Sequence, residues 1–277
     1  MNYLEQIFGL ENKKIVITGA TGYFGIYFSK IFLKAGADVI LMGRSNKLDD
    51  LCVECKKKYG DKRVFAYKTD FYDKILLEET LKAISNEHSI DVIVNNAYDL
   101  SPNTGFNTNK GNLEKLDFDI WQKSFEAGIY WPFLVTKILG EKLKLKDKSS
   151  IINVSSMYGL ASPDPKLYEG KKFFNPATYG VAKAGIIALT KYTASFWGRY
   201  GIRCNAVAPG AFPNTETKTS NSVGDDTEFL DRLKKKSLLN RVGHPNDLAG
   251  VLLLLASDAS SFITGQVFSV DGGWTTI

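Results

Sequence analysis

A β-branched apolar run, Lys14-Ile15-Val16-Ile17-Thr18, passes into Gly19-Ala20-Thr21-Gly22-Tyr23-Phe24-Gly25 and then into helix-forming residues that continue to Leu33. No other stretch restricts the fold as strongly, because a strand, a glycine turn and a helix in that order open a βαβ unit. Gly19 permits the tight turn, Gly22 lets the backbone approach a pyrophosphate, and Gly25 allows close packing of helix on strand. Phosphates would then sit at a helix N-terminus, with its free N–H groups and the positive end of its dipole. Gly19, Thr21, Gly22, Tyr23, Phe24 and Gly25 are therefore candidates for holding a dinucleotide.

The alternation recurs. Strands are expected at Lys14 to Thr18, Asp38 to Met42, Val64 to Lys68, Asp91 to Asn95, Ser150 to Val154, Arg203 to Val207 and Gln266 to Val270, with helical stretches between them. Apolar strands alternating with helices imply an α/β fold of the Rossmann type, a doubly wound and mostly parallel sheet of seven strands with helices on both faces. Ligands of such sheets collect at the carboxyl ends of the strands. At 277 residues and 44% hydrophobic the chain can bury a large core, and no low-complexity linker or repeat divides it. Residues 1–277 are expected to form one domain.

The net charge of +5 comes largely from lysine runs such as Lys56-Lys57-Lys58 and Lys234-Lys235-Lys236, which lack interleaved aromatics and any nucleic-acid motif. No nucleic-acid partner is expected; a basic balance suits an anionic small molecule. The longest apolar run, Val251 to Ala256, is too short to cross a bilayer, and Met1 to Glu11 is unlike a signal peptide, so a cytoplasmic protein without a membrane partner is expected. Cys52 and Cys55 form a C-x-x-C without a second pair, Cys204 stands alone, and His88 and His244 are far apart in sequence. Free thiols and no metal site are expected.

Chemistry enters with Tyr179 and Lys183, four residues apart in Ala177-Thr178-Tyr179-Gly180-Val181-Ala182-Lys183-Ala184 and so on one helix face. A free phenol titrates near pH ~10; a fixed positive charge beside it favours the phenolate and makes an acid/base catalyst of it. Several further motifs follow in order: Asp70 after the third strand, Asn95-Asn96-Ala97 after the fourth, Asn153-Val154-Ser155-Ser156 before the tyrosine, Asn205-Ala206-Val207-Ala208-Pro209-Gly210, and Val270-Asp271-Gly272-Gly273 near the end. With this ordered set the chain resembles the short single-domain branch of the short-chain dehydrogenases/reductases over essentially its whole length.

The resemblance implies a dinucleotide-binding and catalytic domain with Tyr179 exchanging a proton with a substrate hydroxyl or carbonyl, Lys183 lowering its pKa and holding the nicotinamide ribose, and Ser156, or its neighbour Ser155, bonding the reacting oxygen. It places Asp70 and Phe71 by the adenine, Asn95, Asn96 and Ala97 by the adenosine ribose, and Pro209 and Gly210 beside the nicotinamide. An acidic side chain at the end of the second strand would favour NAD; Gly43-Arg44-Ser45 has none before Asp49, and Arg44 and Ser45 favour NADP, with NAD possible. The branch is mostly dimeric or tetrameric, so a homodimer or homotetramer is expected, built from helices near Trp121 to Leu143 and Tyr179 to Trp197.

The chain departs from the pattern at four places. Its glycines are spaced G-x-x-G-x-x-G, as in longer sugar epimerases and dehydratases. Tyr98 stands where a glycine usually completes Asn-Asn-Ala-Gly, and Gly128 where an asparagine of the proton relay belongs. The connection between Ser156 and Tyr179 is lengthened over about 160–176, which reads as a substrate loop with Tyr168, Glu169 and Lys171 as contacts. That insert, with Tyr-Glu-Gly and Asn-Pro-Ala-Thr-Tyr, is similar to those of short-chain dehydrogenases associated with flagellin modification and nonulosonic acid sugar pathways. With the hydroxyl- and amide-rich stretch Asp99 to Asn112, it points to a sugar or sugar derivative as substrate. Tyr98, Tyr168 and Phe212 are candidate substrate contacts, and a lid is expected over about 211–239, where Thr215, Thr217 and Phe229 are further candidates. The glycine spacing also admits an epimerase or dehydratase with bound nicotinamide, and Gly128 with Tyr98 a non-catalytic dinucleotide-binding protein.

Overall fold

A computed structural model describes residues 3–146, 148–216 and 226–276. In chain order its main elements are α1 (Tyr3–Phe8), β1 (Lys14–Thr18), α2 (Tyr23–Lys34), β2 (Asp38–Gly43), α3 (Lys47–Tyr59), β3 (Val64–Lys68), α4 (Lys74–Glu87), β4 (Val92–Asn95) and α5 (Phe118–Phe125). A π-helical turn, Glu126–Tyr130, joins α5 to α6 (Trp131–Leu143); β5 (Ser149–Val154), α7 (Ala177–Trp197), β6 (Ile202–Pro209), α8 (Thr227–Lys236), α9 (Ala249–Ala256) and β7 (Val267–Val270) follow. The strand positions match those expected from the sequence to within two residues at each end.

The strands form one sheet in the order β3-β2-β1-β4-β5-β6-β7, every pair parallel. The period of two along each strand sends alternate residues to opposite faces. Ile15, Ile17, Val39 and Leu41 join Phe28 and Phe32 of α2 and Leu252 and Leu255 of α9 in one core, whereas Val16, Ile40, Met42 and Ile93 join Leu77 and Leu81 of α4, Leu139 of α6 and Trp197 of α7 in the other. Each such fully buried Phe, Leu or Ile contributes roughly 1.5–3 kcal/mol relative to exposure. Helix starts are set by short acidic caps: Asp73 accepts from the Leu76 N–H at 3.0 Å, Asp117 from Ile120 at 2.8 Å and Asp226 from Phe229 at 3.0 Å.

Winding outward in both directions from β1 and β4 leaves a switch point between them, where a crevice must open at the carboxyl ends. Cys52, Cys55 and Cys204 are free and buried, and burial pushes the Cys55 thiol up to about 11 and that of Cys204 to about 12, so none is a ready nucleophile. Among the described residues no helix is long and apolar enough to cross a membrane, and no cluster of His, Cys, Asp or Glu could hold a metal ion.

Candidate active site

The crevice is a cleft of about 420 Å³ lined by the glycine turn, the ends of β2 to β6 and the first turns of α7. Gly19 has φ +67°, and a Cβ there would lie 2.9 Å from the Cα of Ala97. A Cβ on Gly25 would run into the Gly19 carbonyl and come within 2.7 Å of Ala20 Cα. These two glycines hold β1, the turn and β4 in contact, while Gly22 caps α2 without a side chain and leaves the helix N-terminus open to an anion.

The neighbouring strand end braces the turn. Thr18 Oγ1 accepts from the Asn96 and Ala97 N–H groups, both at 3.0 Å, and Asn96 Nδ2 donates to the Thr18 carbonyl at 3.0 Å and the Gly19 carbonyl at 3.2 Å. The Asn96 side chain is thus committed to the turn, although Asn96 and Ala97 both line the cleft. Asn95 points the other way, donating to Asn153 Oδ1 at 2.8 Å and Thr136 Oγ1 at 3.1 Å. Asn153 passes the link to Thr190 Oγ1 on α7 at 2.8 Å, which locks α7 to the sheet.

Thr21, Tyr23 and Phe24 line the cleft; Ser45 does not, and its hydroxyl turns toward Thr21 Oγ1 at 3.4 Å. Arg44 lines it, solvent-exposed at the end of β2, with no carboxylate among the described residues paired to its guanidinium. Asp70 and Phe71 line it after β3, Asp70 accepting from the Tyr72 N–H at 3.1 Å and Phe71 packing on Trp131 at 5.2 Å. Trp131, which the sequence motifs do not mark, lines the cleft with its indole N–H buried and without a partner among the described residues. Asp99 and Leu100 also line the cleft and follow directly on Asn-Asn-Ala-Tyr, so proximity to that motif is the signal that points to them. No local pattern marks Trp131.

Ser156, Tyr179 and Lys183 meet at the end of β5. Ser155 Oγ donates to the Lys183 carbonyl at 2.7 Å, so that hydroxyl serves to seat α7. Ser156 is the one that acts on Tyr179, its hydroxyl opposing the rise of the phenol, and its Oγ accepts from the Tyr158 N–H at 3.1 Å. Lys183 Nζ is 6% exposed by residue, donates to the Val154 carbonyl at 2.8 Å, and lies 5.0 Å from the Tyr98 ring centre and 5.6 Å from that of Tyr179.

Burial acts on both titrating partners. It pushes the Tyr179 hydroxyl up, opposed by the Ser156 hydrogen bond, and it lowers Lys183 to about 7. The net direction at Tyr179 is therefore opposite to the depression expected from a neighbouring ammonium alone, because desolvation penalises the phenolate and the ammonium alike.

Tyr98 lines the cleft as a wall around these groups: its ring meets Tyr179 edge-to-face at 5.1 Å, and its hydroxyl bonds Ser124 at 2.7 Å. Pro209 and Gly210 follow β6 into the cleft, Gly210 so close that a Cβ would sit 2.6 Å from Asp271 Cα. Phe212 lines it as well, edge-on to Phe24 at 5.4 Å, and so connects the start of the expected lid to the first turn of α2.

Tyr168 is not among the lining residues. It packs with Phe174 at 4.6 Å and Phe229 at 5.4 Å, and its hydroxyl is 3.3 Å from that of Tyr158. The insert and α8 are joined: Lys171 pairs with Asp226 at 2.7 Å, Lys236 with Asp164 at 3.2 Å, and Arg232 donates to the carbonyls of Leu167 at 3.0 Å and Glu169 at 2.6 Å. Lys171 is thus engaged by protein carboxylates, and Glu169 contributes its backbone. Thr215 is exposed; Thr217 and the 217–225 part of the expected lid lie outside the described residues.

The family model for enoyl-(acyl carrier protein) reductases matches residues 24–275. The chain is 31% identical to the 7alpha-hydroxysteroid dehydrogenase of Bacteroides fragilis over 270 residues, 96% of this chain and 95% of that one. It is 29% identical to the gluconate 5-dehydrogenase of Gluconobacter oxydans over 271 residues, 97% of each. Among solved structures, a gluconate 5-dehydrogenase from Burkholderia cenocepacia in complex with NADP and tartrate superposes with a TM-score of 0.82 at 25% identity, covering 99% of this chain and 100% of the other. With the ordered motifs folded onto one cleft and likeness along nearly the whole length, the chain belongs to the short-chain dehydrogenase/reductase family.

Proposed function

We propose that the protein is an NADP-dependent oxidoreductase that interconverts an alcohol and a carbonyl on a sugar or sugar derivative. The observation that carries this reading is the convergence of Ser156, Tyr179 and Lys183 on the same cleft as the glycine turn. The residues present suit a dinucleotide: the crowding at Gly19 and Gly25 keeps side chains out of the turn, the α2 N-terminus is open, and Arg44 supplies a cation, unpaired among the described residues, where a 2′-phosphate would lie. NADP supplies or accepts the hydride when bound.

The chain's own residues supply the rest. Tyr179 gives its hydroxyl proton to the substrate oxygen in reduction and takes it back in oxidation. Ser156 holds the Tyr179 hydroxyl and offers a donor to the same oxygen as charge develops there. Lys183, fixed by the Val154 carbonyl, favours the phenolate whenever it carries its charge.

A carbohydrate substrate is supported by the gluconate 5-dehydrogenase relatives and by the basic charge. The likeness of the insert to those of dehydrogenases associated with flagellin modification and nonulosonic acid pathways leads us to place the substrate among such sugars. We read residues 1–277 as one dinucleotide-binding and catalytic domain, with 160–176 as substrate loop and 211–239 as lid. Exposed Phe118, Trp121 and Phe133 near α5 and α6, with Tyr192 and Phe196 on α7, support a homodimer or homotetramer built from these helices, in the cytoplasm.

The test is NADP(H) turnover, followed at the reduced-nicotinamide band, across keto-sugars, sugar phosphates and simple carbonyls, with Tyr179→Phe in parallel. Turnover of a keto-sugar that collapses in the variant supports the reading; cofactor binding without turnover on any substrate refutes it.

A further inference from the structure

We propose that Phe106 is a specificity-determining residue, its ring forming the apolar wall against which the carbons flanking the reacting carbonyl are seated. This rests on the oxidoreductase reading above. The stretch from Ser101 to Asn112 in the connection from β4 to α5 is mostly polar, with Ser101, Asn103, Thr104, Asn107, Thr108, Asn109 and Asn112, and Phe106 is the aromatic residue within that stretch. It belongs to none of the three hydrophobic clusters of the fold. Even so its ring is placed with care: it meets Tyr179 edge-to-face at 5.0 Å and 86°, and Tyr98 at 6.0 Å and 78°.

The backbone is bent to achieve this. Gly105 at φ 87° and Asn107 at φ 56° both lie in the left-handed region, so the chain reverses on each side of Phe106 and delivers its side chain as the tip of a kink. Asparagine is, after glycine, a residue that readily adopts this conformation, so the pair Gly105 and Asn107 builds the kink into the sequence.

The surroundings are rigid. A Cβ on Gly105 would lie 2.9 Å from Gly111 Cα, Thr108 Oγ1 donates to the Gly105 carbonyl at 3.2 Å, and buried Thr104 donates to the Asp99 carbonyl at 2.6 Å. Asp99 is itself held by Tyr72 Oη–H at 2.9 Å, and Asn112 accepts from the Phe174 N–H of the insert at 3.0 Å. The loop is thus tied to the sheet side at one end and to the insert at the other.

A ring held in this way, outside the core and against the proton-transferring tyrosine, has two consequences. It keeps water from one side of the Tyr179 ring, and it offers an aromatic face to C–H groups. A polyhydroxylated substrate has such groups on one face of its carbon skeleton, so the ligand selected is a carbonyl compound with carbons on both sides of the reacting centre. A truncated carbonyl reaches the wall less fully.

The test compares NADPH-dependent reduction of 5-keto-D-gluconate and of glycolaldehyde, whose carbonyl has a carbon on one side only, by wild type, Phe106→Ala, Phe106→Leu and Phe106→Tyr, with NADPH affinity measured by its fluorescence. The expected result is a loss of about tenfold or more in kcat/KM for 5-keto-D-gluconate in Phe106→Ala, mostly in KM, with less than about threefold on glycolaldehyde. NADPH affinity stays unchanged and Phe106→Tyr regains most of the loss. Equal losses on both substrates, no loss in Phe106→Ala and Phe106→Leu, or a parallel fall in NADPH affinity overturns the proposal. Wild type that binds NADPH but reduces neither compound nor any other member of the panel removes the oxidoreductase reading instead, and the role of Phe106 with it.

Discussion

The ring of Tyr98 stands where a side chain at position 128 would go: a Cβ on Gly128 would come within 3.0 Å of Tyr98 Cε2 and 2.6 Å of Ala182 Cβ. Two departures from the family pattern that look independent in the sequence are therefore one packing event. The π-turn of Glu126–Tyr130 carries Gly128 against α7, and the large residue at 98 fills the space left by the small one. The same ring lies under the Lys183 ammonium at 5.0 Å, a cation–π contact that partly offsets its desolvation.

Gly128→Ala is expected to destabilise the fold by about 1–3 kcal/mol through overpacking, and to do so less when Tyr98→Ala is also present. Urea denaturation of the wild type, both single variants and the double variant measures the coupling. A double-variant cost below the sum by at least about 0.5 kcal/mol supports the shared site, and additivity contradicts it.

That coupling shows where sequence reading stops. The strands at Ile15 to Ile17, Val39 to Met42 and Ile151 to Val154 were legible because burial on two faces forces continuous apolar runs with turn residues at their ends. Gly19 and Gly25 were legible because backbone contact leaves room for nothing larger. The choice of Ser156 over Ser155 was not: the two hydroxyls are adjacent in sequence, and only the fold sends one to the Lys183 carbonyl and the other to Tyr179. Trp131 and Phe106 were missed for a related reason. Trp131 reaches the cleft by a helix turn, and Phe106 the Tyr179 ring by a long connection, whose course no local pattern records.

Lys183 gives a prediction for stability against pH. Its folded-state pKa, about 7, lies below the unfolded value near ~10.4, so between these values the unfolded chain binds more protons than the folded one. This group therefore makes the fold more stable as pH rises through that window and adds no further slope below it. Wild type minus Lys183→Met, compared by thermal unfolding from pH 6.5 to 10, should show a stability difference moving in favour of wild type with rising pH. A flat difference would mean that the ammonium is not held in a desolvating site.

Arg44 has no carboxylate partner among the described residues and stands at the end of β2 with no Asp or Glu before Asp49. Arg44→Asp should therefore lower kcat/KM for NADPH and spare or raise it for NADH, shifting the ratio by about tenfold or more, the scale of one to two kcal/mol of charge-assisted bonding. Steady-state kinetics with both cofactors decide the matter. An unchanged ratio would place the 2′-position elsewhere.

The joint between the insert and α8 is electrostatic and exposed, which sets how it should fail. Asp226 and Glu228 are held below the usual carboxylate range by hydrogen bonds to Lys171 and Arg232, Asp164 by the Lys166 N–H and Lys236, and Lys171 is raised by Asp226. Depressed acids contribute above their unfolded values and lose that contribution as pH falls through the folded ones; the raised lysine loses its own as pH climbs past its unfolded value. The joint should thus hold between about pH 5 and 10 and loosen outside that range. Arg232 matters most, because its guanidinium reaches Leu167 and Glu169 carbonyls together with the Glu228 carboxylate, which the single ammonium of a lysine cannot span. Arg232→Lys is expected to make residues 160–176 cleave faster under limited proteolysis, an effect that 0.5 M salt reproduces in wild type, while overall unfolding changes little because exposed pairs contribute little to global stability. Insert cleavage unaffected by both the variant and salt would show that the aromatic contacts of Tyr168 with Phe174 and Phe229 hold the two segments without help from charge.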